Sequence, residues 1–255
     1  MGRKLYEGVS GFDRLIERQM LLREKRNKLV QHRMTEQGGA PYRFITISRD
    51  VGTGGDGIAA ELAGRLEWKL YDREIVEFIA RESNVLRELV EQLDEEGQSR
   101  VNDSVEQILS IFQRPGFGND QYHVALLHTL SALAEQGECI ILGHGGAYAL
   151  QGQPGLHVRI TAPVPARVRR MSREWRLPPP AARRAILRRD QNRREFIQHH
   201  FMVDRDDPRF FDIVVNTDRM GSGAVVAAIL GIIEESRGVM SAAIPAPLVA
   251  RQEVR

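Results

Sequence analysis

The chain has 255 residues, 42% hydrophobic and 27% charged, with a formal net charge of only +2. These proportions fit a globular domain with a sizeable core and exclude a chain that binds nucleic acid as a uniform polycation. Its one cysteine, Cys139, excludes an intrachain disulfide and an all-cysteine metal cage. No stretch reaches the roughly 18 apolar residues of a membrane span. The opening MGRKLYEGVS carries no secretory-type apolar run, and Tyr6 stands where a myristoylation motif needs Ser or Thr. A cytoplasmic protein with no membrane partner is therefore expected.

Residues 10–37 read as a charged helix with Phe12, Leu15, Ile16, Met20 and Leu22 toward one side, broken by Glu36 to Pro41. Residues 1–40 are taken as a helical appendage that packs on the main domain or on a partner, which makes it the candidate contact for a homo-oligomer. Its basic residues alternate with Glu17 and Glu24, the pattern of a solvated face. The main domain occupies residues 41–238. Five short runs rich in β-branched or aromatic residues predict strands: Phe44–Ser48, Trp68–Tyr71, Cys139–Leu142, His157–Thr161 and Asp212–Asn216. Helical stretches lie between them, notably Ile58–Leu66 and Tyr122–Glu135. Such alternation predicts an α/β fold with a parallel five-stranded sheet and helices on both faces. Two intervals are too long for simple crossovers. Residues 73–121 form a helical insertion containing a flexible-looking stretch, Arg114–Asn119. Residues 163–205 form an arginine-dense helical pair joined through Pro178, Pro179 and Pro180. Residues 239–255 read as a tail.

The sharpest local signal follows the first strand. Ile45–Ser48 runs into Arg49, Asp50, Val51, Gly52, Thr53, Gly54, Gly55, Asp56 and Gly57, and then into a helix. Glycines let backbone N–H groups turn inward around a phosphate, and a helix N-terminus adds unpaired donors and a positive dipole end. Yet the lysine-bearing phosphate-loop pattern is not satisfied: Gly55 takes the lysine's place and no hydroxyl follows it. Asp56 adds negative charge where a polyphosphate would approach, unless a metal ion or an arginine intervenes.

The stretch Ile45–Asp72, with Ser48-Arg49, Gly52-Thr53-Gly54-Gly55 and Tyr71-Asp72, resembles the opening of the cytidylate kinase-like family, whose loop lacks the lysine. Asp56 departs from it, since the family carries a basic residue there. The likeness extends over roughly residues 43–232. Gly143-His144-Gly145-Gly146 is similar to a turn that usually reads Gly-Arg, with His144 in place of the arginine. Leu156–Pro163 followed by Arg167 resembles the strand into a lid, Asp190–Arg193 the lid's Asp-x-x-Arg, and Phe211–Thr217 the last strand. The resemblance implies a P-loop NTPase-type fold in which residues 73–121 bind the acceptor and residues 163–205 form an arginine-rich lid. It further implies ATP-dependent phosphoryl transfer to a nucleoside monophosphate, cytidylate (CMP or dCMP) above others, with ATP and Mg²⁺ as cofactors and a small nucleotide as partner. Gly52, Thr53, Gly54, Gly55, Asp56 and Gly57 would hold the donor phosphates.

Residues 167–194 carry Arg167, Arg169, Arg170, Arg173, Arg176, Arg183, Arg184, Arg188, Arg189, Arg193 and Arg194, opposed only by Glu174 and Asp190. The planar arginine fork grips two phosphate oxygens, and a surplus of this size binds anions or covers a solvated helix. The resemblance assigns it to phosphate clamping, with Arg189, Asp190 and Arg193 as the catalytic candidates. Nucleic acid is the less suitable anion, because little aromatic interleaving accompanies the arginines. Arg49 either supplies the charge that the missing lysine does not, or forms an ion pair with Asp50, Asp56 or Asp72. Asp72 either orients the acceptor or a magnesium water, or caps the next helix. No histidine spacing marks a metal site, and Cys139 sits in a strand expected to be buried. Two rivals stay open: a nucleotide-binding regulatory protein that has lost catalysis, favoured by Gly55, Asp56 and His144, and a kinase for another small acceptor.

Overall fold

The computed structural model describes residues 42–112 and 121–243; the appendage 1–40, the stretch Arg114–Asn119 and most of the tail lie outside the described residues. The strands are β1 (Phe44–Arg49), β2 (Lys69–Tyr71), β3 (Cys139–Leu142), β4 (Gly155–Thr161) and β5 (Ile213–Asn216). They form one sheet in the order β2-β3-β1-β4-β5, with every neighbouring pair parallel. The helices are α1 (Gly55–Leu66), α2 (Arg73–Arg81), α3 (Ser83–Glu91), α4 (Glu95–Phe112), α5 (Gln121–Gln136), α6 (Gly146–Ala149), α7 (Val164–Glu174), α8 (Pro179–Phe201), α9 (Thr217–Met220) and α10 (Ser222–Ala243). The predicted parallel α/β sheet is thus the observed one. Helix α10 runs into the segment read as tail.

Strand β1 is central and apolar on both faces, because successive side chains point to opposite sides. Ile45 and Ile47 face a core made with Ile58 and Leu62 of α1 and Val225, Ile229 and Ile233 of α10. Phe44 faces the other core, with Val76 and Ile79 of α2, Leu126, Leu130 and Leu133 of α5, and Ile197 and Phe201 of α8. Each such fully buried aliphatic side chain contributes about 1.5–3 kcal/mol. Helix α2 therefore belongs to the sheet's own core, whereas α3 buries no residue fully. Cys139 is buried in the same core, where burial pushes its thiol up to about 12, and its Sγ points at the Leu133 carbonyl. No helix among the described residues is long and apolar enough to cross a membrane.

Helices α7 and α8 pack as a hairpin over the carboxyl end of β1. Prolines start both, at positions where a missing N–H costs no hydrogen bond. Val51 in the loop after β1 packs with Met171 of α7 and Ile186 of α8. The hairpin is seated on the loop that the sequence marks for phosphate.

Candidate active site

Both backbone polar groups of Val51 are taken by the α7–α8 hairpin. Its N–H donates to Asp190 Oδ1 at 3.0 Å, and its carbonyl accepts from Arg167 Nη1 at 3.1 Å. Arg167 and Asp190, both buried, pair at 2.5 Å between the two helices. Thr53 is fully buried; its hydroxyl donates to the Asp50 carbonyl at 2.9 Å, and its own carbonyl accepts from Thr217 Oγ1 at 2.8 Å. Gly52 has φ +83°, and a Cβ there would sit 2.8 Å from Met171 Cγ. Gly54, at φ +81°, precedes α1 as its N-cap without any side-chain cap, and a Cβ would meet Arg170 Nη1 at 2.6 Å. Both positions demand glycine for backbone conformation and for space. Arg170 also donates to the Gly52 carbonyl at 3.2 Å. Gly55 lies against the Arg49 stem, and Gly57 faces open space. The first turn of α1 thus presents its N–H groups between Arg170 and Arg49, which suits phosphate oxygens. Among the described residues no group of His, Cys, Asp or Glu converges to hold a metal ion. Asp56 is the one carboxylate within Gly52–Gly57, and it would be the loop's contribution to a magnesium ion brought in by a nucleotide.

Arg49 pairs with Asp56, through Nε at 3.0 Å and Nη2 at 2.7 Å to the same Oδ1. Of the carboxylates weighed for it, this one is chosen, so the ion pair spans the mouth of the glycine loop. Asp72 caps α2, accepting from the N–H groups of Glu74 and Ile75 at 3.0 and 3.1 Å. It does not line the cavity described next.

A cavity of about 500 Å³ opens at the carboxyl ends of β1 and β3, under α8, where ligands of open α/β sheets bind. Arg49, Arg73, Arg189, Arg193 and Arg205 line it and, among the described residues, Glu77 is the one carboxylate that does. Arg189 and Arg193 share a helical face, and the Arg189 guanidinium stacks 4.6 Å over the Trp175 ring. Asp190, between them, turns away to the loop. The Arg49 carbonyl accepts from both Arg193 Nη1 and Arg205 Nη2, each at 2.9 Å. Burial, with Arg49 and Arg205 close by, pushes the Arg193 guanidinium down to about 10. Arg205 also donates to Asp50 Oδ1 at 2.7 Å, as does Arg159. Burial alone would raise the Asp50 pKa; Arg159 and Arg205 outweigh it and hold the carboxyl below its usual value.

The turn after β3 forms the cavity's other wall. His144 adopts φ +51°, its side chain is only 3% exposed, and burial pushes its imidazole down to about 4. Sequence reasoning missed three contributors: Arg205, Arg73 and Glu77. Arg205 is hidden in an acidic stretch between Asp204, Asp206 and Asp207, so local charge counting cancels it. Arg73 and Glu77 form an i,i+4 pair at 3.0 Å, a pattern shared with many solvated helices.

The cytidylate kinase-like family profile matches residues 44–219. No curated protein matches the chain. Among solved structures, an uncharacterized protein from Eubacterium ventriosum ATCC 27560 is 16% identical with a TM-score of 0.60, covering 75% of this chain and 98% of that one. Shikimate kinase from Bacteroides thetaiotaomicron is 13% identical with a TM-score of 0.42, covering 75% of this chain and 98% of that chain.

Proposed function

The chain belongs to the cytidylate kinase-like family, and we propose that it transfers the terminal phosphoryl group of ATP to a nucleoside monophosphate, with cytidylate as the first candidate. The family supports a nucleotide-kinase type of function. The observation that carries the finer reading is the arginine-lined cavity beside the glycine loop, because phosphoryl transfer is mostly positioning and neutralisation of phosphate charge.

The first turn of α1 and Arg170 would hold the donor's phosphates, and magnesium, when bound, would supply further neutralisation of phosphate charge. Arg193, Arg205 and Arg189 would hold the acceptor's phosphate under α8. Arg49 stands between the two: it lines the cavity and reaches the loop through Asp56. An acceptor phosphate is already anionic and needs no general base. The engagement of Asp72 as a helix cap agrees with that chemistry. Helix α8 of the hairpin lines the cavity, and any further closure over it would exclude water and favour transfer over hydrolysis.

The test is a radiolabelled transfer assay with Mg²⁺-ATP against CMP, dCMP, UMP and a panel of non-nucleotide acceptors, run beside Arg49→Ala. Transfer to CMP or dCMP that collapses in Arg49→Ala is the expected result. The Arg49–Asp56 pair favours one rival, a nucleotide-binding protein without catalysis, because it engages Arg49 with the loop's own carboxylate. ATP-dependent thermal stabilisation with no transfer to any acceptor would decide for that rival.

A further inference from the structure

Helix α8 separates two cavities. Asn192, Arg193 and Phe196 line the first, described above, whereas Asp190, Gln191 and Arg194 line a second of about 720 Å³. The second is bounded on its other sides by Arg159 and Thr161 of β4, Val214 of β5, and residues of the segment between α8 and β5. Arg205 lines both; no other donor or acceptor contact proposed above falls in the second cavity.

Its polar wall has engaged acceptors and unengaged donors. Among the described residues, Arg159, Arg167, Arg194 and Arg205 line it with Asp50, Asp190 and Asp206, which leaves one positive charge. All six carboxylate oxygens already accept hydrogen bonds. Those of Asp50 accept from Arg159, Arg205 and Thr161, and those of Asp190 from the Val51 N–H and Arg167. Asp206 bridges Arg159 and Arg194 with one oxygen on each, at 2.6 and 3.0 Å, so the two guanidinium groups stand one carboxylate apart. Arg159 is only 5% exposed; its Nη2 donates to both Asp50 and Asp206, while its buried Nη1 has no hydrogen-bond partner among the described residues. A buried donor without an acceptor costs free energy, and such a group recurs where a ligand completes a wall. Arg194 is nearly half exposed and so can be reached from solvent.

The rest of the wall is apolar. Val164, Leu187, Pro208, Phe211 and Val214 line it, and Leu187 and Val214 are 38% and 51% exposed. A phosphate group brings close to two negative charges to a wall with one to neutralise, and it leaves this apolar surface in water. A single carboxylate on an apolar body matches both halves of the wall.

We propose that the second cavity binds a small monocarboxylate with an apolar body. Its carboxylate is taken by Arg194 and, as the half-exposed Asp206 side chain moves aside, by Arg159; its body lies against Leu187, Phe211 and Val214. The inference is independent of the nucleotide reading and would hold for a chain that transfers nothing.

The experiment is calorimetric titration of the full chain with octanoate, with acetate as the head group alone and octan-1-ol as the body alone. The wild type is expected to bind octanoate with a Kd of about 1 mM or lower, at least about tenfold more tightly than either control. Asp206→Asn removes the competing carboxylate and should tighten octanoate binding by about threefold or more. Arg194→Gln should weaken it by about tenfold, and Val214→Asp, which sets a charge on the apolar wall, should abolish it. Arg189 lines the first cavity and not the second, so Arg189→Ala should leave the octanoate Kd within about twofold of wild type. No binding of octanoate, either control binding as tightly, or an unchanged Kd in Val214→Asp would overturn the inference. So would weaker binding in Asp206→Asn or a loss of binding in Arg189→Ala. Asp206, Arg194 and Val214 are all substantially exposed, and if one of these variants does not fold the other two still decide.

Discussion

Removing the Asp190 carboxylate separates a residue that builds the site from one that acts on substrate. In Asp190→Ala the buried Arg167 guanidinium loses its 2.5 Å partner, and the Val51 N–H loses its acceptor. Breaking a buried pair from one side costs about 3–5 kcal/mol. Arg167 keeps two carbonyl acceptors, Ala162 and Val51, at 3.0 and 3.1 Å, which places the loss at the lower end. The unpaired Val51 N–H adds about 1 kcal/mol, giving a total of about 3–4 kcal/mol. For a domain of this size that corresponds to a fall in Tm of roughly 6–15 °C. Thermal melting followed by circular dichroism measures it, with Asp190→Asn as an intermediate case that retains the Val51 hydrogen bond. A melt within about 2 °C of wild type would refute the tether, since that corresponds to no more than about 1 kcal/mol. Asp190 would then return to the substrate side of the ledger.

The His144 imidazole is held at about 4 by burial, so the unfolded chain takes the proton more readily. Its contribution is complete above about pH 6.5, is lost as pH falls toward about 4, and amounts to about 3 kcal/mol. Urea denaturation of wild type and His144→Gln across that window should show the wild type losing about 3 kcal/mol more than the variant as pH falls, and parallel curves would contradict the assignment. His128 and His157 are shifted the same way in both proteins and cancel. Gly57→Ala meets no atom within 4 Å and should gain about 0.5–1 kcal/mol of helix stability, yet lose ATP affinity if phosphate occupies that space. Gly52→Ala, forced to φ +83° against Met171, should lose about 1–3 kcal/mol; equal melts for the two glycine variants would count against the loop geometry. Asp56→Asn frees Arg49, and because Asp56 is 72% exposed the gain in ATP affinity should be only a few-fold and should shrink with salt. Weaker ATP binding in Asp56→Asn would instead mean that Asp56 helps to hold the donor's cation.

The sheet was legible because its strands are short apolar runs with clear punctuation. Strand β4 starts at Gly155, two residues before the pattern shows it, because Pro154 and Gly155 read as a turn. Only pairing with Phe44 of β1 draws Gly155 into the ladder. The glycine loop was legible for the same local reason. The division of labour among the polar residues was not. Asp190 and Arg193 belong to one short motif on one helix, but Asp190 reaches Arg167 in the preceding helix and Arg193 reaches the Arg49 carbonyl. Arg205 joins Asp50 across 155 positions. The approach of Glu77 to His144 depends on how α2 docks beside β3. Partners set by tertiary packing leave no spacing to read.

The same distribution answers the objection that a phosphate loop without its lysine has lost its charge. Arg49 ends β1, Arg193 belongs to α8, and Arg205 precedes β5; the Arg49 carbonyl gathers the last two onto the first. Guanidinium groups so gathered repel one another, and the depressed pKa of Arg193 records burial together with that repulsion. Asp50 offsets it on the protein side, through Arg205 and Arg159. Among the described residues the carboxylate lining the first cavity is Glu77, already engaged by Arg73. A cluster neutralised behind by Asp50, and at the loop's mouth only by the exposed Asp56, gains from an anion arriving in front. It also keeps its fixed geometry while waiting, which a single flexible lysine does not. On the proposed function, the charge that a loop lysine would supply comes instead from three places that meet beside the loop, and the docking of the α7–α8 hairpin, which carries Arg193, is then a condition for the site to exist.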